Sequence, residues 1–187
     1  MLENIELGYI GMGVGLLGLI IAFMLYKKVN SVKIDNERVA KITAEIQEGA
    51  MSFLKAEYKV LSIFIAVVAV ALAVGLGWQT SVAFIIGALA SGLAGFSGMR
   101  AATSANGRTA MAAKEGGQSA ALEVSYNGGA VMGLAVGGLG LIGVSLMYVW
   151  FGQDLDNIQY IAGFGMGASS IALFSRVGGG IYTKAAD

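Results

Sequence analysis

The chain has no cysteine, no histidine and no proline, and charged residues make up only 13% of it. Without cysteine there are no disulfides, no thiolate metal ligands and no thiol nucleophile. Without histidine, the usual general base and the commonest metal ligand are missing. Any chemistry must therefore run on Asp, Glu, Lys, Arg and bound ions. The missing proline leaves the Ala-rich stretch Ala101–Lys114 free to continue as helix. Soluble domains are charged at roughly 25%, so this composition, with 56% hydrophobic residues, points away from a water-soluble fold.

What is present in quantity is apolar sequence and glycine. Runs long enough for a helix to cross hydrocarbon, roughly 20 residues, cover about 5–26, 51–77, 80–99, 128–151 and 158–183, the last apolar as far as Phe174. A single soluble core of 187 residues lacks the volume to hide five such segments. The twelve Lys and Arg are distributed one-sidedly. Lys27, Lys28, Lys33, Arg38 and Lys41 occupy the first connection, and Lys55 and Lys59 the start of the second span. Arg100, Arg108 and Lys114 lie in the third connection, with Arg176 and Lys184 at the far end of the fifth span. Glu3, Glu6, Asp154 and Asp156 mark the other side. Five alternating crossings with the N-terminus outside and the basic loops cytoplasmic satisfy the positive-inside rule. The expected fold is all-α, a polytopic transmembrane helix bundle, with residues 1–187 in one membrane domain. The acidic start is not the positive region of a signal peptide, so the first span is expected to remain in place.

Within these spans, Val39, Ile42, Ile46, Ala50, Phe53 and Leu54 recur at helical spacing, which predicts an amphipathic approach to the second span. Gly116-Gly117 should break the helix that follows the third. Trp78, Tyr148 and Trp150 stand where interfacial aromatics are expected. Small residues recur every fourth position at Ala83, Gly87, Ser91 and Gly95, at Gly129, Gly133 and Gly137, and at Gly163 and Gly167. Such stripes let helices pack closely in lipid, and a backbone-lined ion path is the functional alternative to packing. Glu123 and Asn127, one turn apart, form either a polar site or a solvated helix entrance.

Charge chemistry concentrates at the end of the fifth span. If the helix continues there, Lys184 lies about 80° round the axis from Arg176 and roughly 12 Å along it, and Asp187 about 20° from Arg176. A charge in a membrane helix is a functional candidate when it faces the bundle interior. The alternative for Arg176 is a side chain that snorkels to the interface. Gly178-Gly179-Gly180 lacks the spacing and the strand of a phosphate-binding loop. Three helical glycines, each costing about 1 kcal/mol against Ala, suggest a close helix contact or backbone exposed to a ligand.

Three stretches carry a resemblance: Ile46–Tyr58 (IQEGAMSFLKAEY), Ala101–Ala110 (AATSANGRTA) and Phe174–Asp187 (FSRVGGGIYTKAAD). The chain resembles the membrane-integral, ion-pumping inorganic pyrophosphatases along its whole length. The resemblance implies about sixteen transmembrane helices, an inner ring around the active site and an outer ring around that. It implies a homodimer, hydrolysis of Mg²⁺-bound inorganic diphosphate on the cytoplasmic side and outward pumping of H⁺ or Na⁺, with K⁺ as an optional activator. The first four spans would belong to the outer ring and the fifth to the inner one. By position, Arg176 would be the basic residue of the ion gate, Lys184 a lysine contacting diphosphate, and Asp187 the first carboxylate of the motif that binds Mg-diphosphate. No complete catalytic set is expected within these residues, so the chain is expected to be an N-terminal piece, inactive alone. No nucleic-acid partner is expected, and membrane lipid surrounds the spans. A self-contained transporter or channel subunit, or a structural membrane anchor, is the alternative. Reading the nucleotide sequence past codon 187 separates the alternatives.

Overall fold

The computed structural model describes the backbone of residues 2–152 and 157–186 and the side chains of residues 6–152 and 157–179. Four helical runs account for most of the described residues: α1 (Leu2–Ser31), α2 (Glu37–Gly75), α3 (Trp78–Phe151) and α4 (Gln159–Ala186). The expectation was five helices. The difference lies in α3, which holds the third and fourth spans and folds back on itself at Gly117, where φ is 72° and ψ −163°. That backbone region is open essentially to glycine alone. The predicted break therefore falls where expected.

Local sequence explains the other boundaries. Asn36 caps α2, its Oδ1 accepting from the Arg38 and Val39 amides at 3.0 and 3.1 Å, which satisfies two of the donors a helix start leaves open. The chain leaves α2 through Leu76 and reverses at Gly77 (φ 99°), a tight connection that only glycine adopts without strain. Beyond it, Ser81 Oγ donates to the Ala69 carbonyl at 2.7 Å and pins the two helices together.

The first half of α3 is the hub. Ala101 packs with Ala22 of α1 and Val131 of the returning half of α3. Phe84 packs with Ala69 and Leu72 of α2, and Ala88 with Leu61 of α2 and Ile171 of α4. Ala83, Met147 and Phe164 join both halves of α3 to α4. These pairings make α1 antiparallel to the second half of α3, α2 antiparallel to the first half, and α4 parallel to it. Successive spans thus alternate in direction, and the basic connections gather at the end where α3 turns.

Three helices, α1, α2 and α3, are long and apolar enough to cross a membrane, and α3 is long enough to do so twice. Over its described residues α4 is not among them, because Gly, Ser and Arg176 dilute its apolar content. Large apolar side chains cover the outer faces, including Leu7, Ile10, Val14 and Leu17 of α1 and Val60, Ile63, Val67 and Val70 of α2. Trp78 and Trp150 are both exposed at the end remote from the basic connections, as interfacial anchors require.

Candidate functional site at the basic end of α4

Small residues seat α4 against the hub. A methyl group added at Gly87 would collide with the Phe164 carbonyl oxygen, and one at Gly167 with the Phe84 carbonyl oxygen. Backbone thus meets backbone along the stripe of Ala83 and Gly87 against Gly163 and Gly167, which is the packing reading of those stripes. The stripe of Gly129, Gly133 and Gly137 has open space beside it. Its neighbours Gly128 and Gly138 make the close contacts instead, against Ala105 and against the Gly15 backbone.

Lower down, α4 rests on α2. Phe174 meets Phe64 edge-on at 5.0 Å between ring centroids, and Gly178 faces Glu57 and Phe53, a Cβ there standing 2.7 Å from Glu57 Oε1. Arg176 is two residues from Gly178, about 200° round the helix, and so points away from α2. It is exposed and takes part in no ion pair among the described residues.

The helix does continue through the glycine run, as far as Ala186. The backbones of Arg176 and Lys184 therefore lie on one helix. The Lys184 side chain and all of Asp187 lie outside the described residues, as do Asp154 and Asp156. Among the described residues no three acidic or other metal-binding side chains come together to hold a metal ion. No step through Mg²⁺ follows from the groups in view.

Sequence reasoning passed over Glu57. Both its carboxylate oxygens are buried without a hydrogen-bond partner, directly beside the glycine run of α4. The available signal was a lone carboxylate near the apolar part of α2, a costly placement that marks function or an absent partner. Glu123 resolves the other way. Its Oε1 accepts from Lys28 Nζ at 2.6 Å between exposed side chains, and this hydrogen bond and charge hold its carboxyl below the usual carboxylate range. It is a solvated surface ion pair.

The long apolar helices and their alternating directions define a polytopic helical membrane protein. The family model described as inorganic H⁺ pyrophosphatase matches residues 16–187, and the chain belongs to that family. It is 53% identical over 173 residues to a putative K⁺-stimulated pyrophosphate-energized sodium pump of Clostridium tetani, covering 92% of this chain and 25% of that protein. It is 43% identical over 170 residues to the K⁺-stimulated pyrophosphate-energized sodium pump of Thermotoga maritima, 81% of this chain and 23% of that one. A K⁺-insensitive pyrophosphate-energized proton pump of Methanosarcina mazei is 40% identical over 175 residues, 92% of this chain and 25% of its own length. The chain spans about a quarter of the length of these curated relatives.

Proposed function

We propose that this chain forms the N-terminal quarter of a pump that hydrolyses Mg²⁺-bound diphosphate at its basic, cytoplasmic end and drives H⁺ or Na⁺ outward. The observation that carries this reading is α4. One unbroken helix presents Arg176 on a face that no other described helix covers, with Lys184 about two turns closer to the basic end. Arg176 takes the role of the gate cation, with its acidic partner supplied by helices beyond these. Lys184 contacts diphosphate, and Asp187 meets that polyanion through a cation. Mg²⁺, when bound, supplies the positive charge that lets carboxylates and diphosphate share a site. The complete pump is a homodimer, and K⁺ acts as activator in the K⁺-stimulated form.

Depth separates the two basic residues, so their loss should have different consequences. In the full-length protein, Lys184→Ala should weaken diphosphate binding by about 1.5–3 kcal/mol, the worth of a charge-assisted hydrogen bond. Arg176→Ala leaves a buried acidic partner uncompensated and should disturb ion uptake more than diphosphate affinity. Hydrolysis and the uptake of H⁺ and of Na⁺ are measured in the same sealed vesicles. Full coupled pumping by Arg176→Ala would remove the gate assignment and leave an arginine that snorkels.

A further inference from the structure

A second basic feature lies away from α4. Between α1, α2 and the first half of α3, at the basic end, a cavity of about 380 Å³ is lined by Arg100 and Arg108. No Asp or Glu lines it among the described residues. Arg108 is held in place. Its Nε donates to the Val32 carbonyl at 3.1 Å, and its Nη1 to the Ser104 carbonyl at 2.7 Å and to Ser104 Oγ at 2.9 Å. Ser104 Oγ in turn donates to Asn30 Oδ1 at 2.6 Å. The remaining terminal nitrogen, Nη2, is in none of these bonds. Arg100 is exposed and forms no ion pair among the described residues. The cavity therefore joins one fixed guanidinium to one that is unpaired among the described residues, with no carboxylate among those residues lining it.

Its walls are graded in polarity. Of its lining residues, Met51 and Phe96 belong to the apolar spans, while Asn30, Arg100, Ser104 and Arg108 come beyond the span ends along the chain. A phospholipid has the same gradient, from acyl chain to charged phosphate. Basic pockets between transmembrane helices suit anionic headgroups, and guanidinium forks match phosphate oxygens bidentately. We propose that this cavity binds the phosphate headgroup of an anionic glycerophospholipid, with Arg108 as the preset contact and Arg100 as the mobile one. The site is separate from α4 and does not depend on the pumping role assigned to that helix.

Native mass spectrometry of the full-length protein with phosphatidylglycerol and, separately, phosphatidylcholine tests the site. The unaltered protein should retain phosphatidylglycerol preferentially. Arg100→Gln should weaken that retention roughly fivefold or more, Arg100→Lys should restore most of it, and Lys59→Gln, which removes an exposed charge outside the cavity, should change nothing. Because Arg100 makes no side-chain hydrogen bond or ion pair among the described residues, the melting temperature of Arg100→Gln should stay unchanged, whereas Arg108→Gln would also cut the tie to Val32. Equal retention by Arg100→Gln and the unaltered protein would overturn the site. Added inorganic phosphate separates the sources: displacement of the lipid at low millimolar phosphate would overturn the lipid assignment, and persistence of the lipid supports it.

Discussion

Lys28 and Glu123 meet at 2.6 Å with side chains 60% and 61% exposed. Water and salt screen such a pair, and holding two long side chains in one geometry costs entropy. Its pH behaviour follows from the lowered carboxyl of Glu123. The contribution is present above the ordinary carboxylate range and fades as pH falls through the lowered folded value. Glu123→Gln should thus change the melting temperature slightly at neutral pH and low salt, and not at all in acid or at high salt. A difference that persisted in both would mean that Glu123 has a further role. Arg108 shows what was hidden at this scale. Its type and position were plain, but its bonds to Val32 and Ser104 reach across 76 and 4 positions of chain, and only the pairing of α1 with α3 brings Val32 there. Glu57 is similar: the carboxylate could be read, whereas its burial beside Gly178 depends on how α4 leans on α2.

At the scale of the helix, glycine does two separate things in this protein. Gly77 and Gly117 adopt positive φ and turn the chain. Gly87 and Gly167 are helical and matter because a neighbouring backbone lies where a side chain would be. The two kinds predict different mutants. Gly87→Ala drives a methyl into the Phe164 carbonyl, an overpacking that costs roughly 1–3 kcal/mol. Gly92 has open space beside it, so Gly92→Ala should be neutral or stabilising by up to about 1 kcal/mol through helix propensity. Thermal unfolding in mild detergent compares them, and equal midpoints would rule out the close seat of α4 on α3. The four-residue spacing of small residues identified the Ala83–Gly87 and Gly163–Gly167 contact. The third stripe, Gly129, Gly133 and Gly137, meets no neighbour among the described residues, because spacing marks a face without saying what meets it.

For the molecule as a whole, the alternation of span direction and the gathering of Lys and Arg at one end support a single orientation. With the basic end inside, Gln79→Cys and Asn157→Cys should react with an impermeant thiol reagent added to intact cells, and Asn36→Cys only after permeabilisation. The chain has no cysteine of its own, which leaves the background clear. Labelling of Asn36→Cys in intact cells would invert the orientation and, with it, the side on which diphosphate is proposed to bind.

The helical, apolar character of the chain and the turn at Gly117 were legible in the order of residues, whereas the helical continuation past Arg176 stood only as a condition. In lipid a helix must satisfy its backbone hydrogen bonds within itself, so length and hydropathy alone determine each crossing. Which helices pair was not legible. Apolar side chains gain little by leaving lipid for one another, and association rests instead on close fit and a few polar contacts. Only the assembled bundle made the first half of α3 the hub, turned Arg176 away from α2, buried Glu57 against Gly178 and brought Arg100 and Arg108 around one cavity. Each of these depends on a distance between residues far apart in the chain, and no local pattern encodes such a distance.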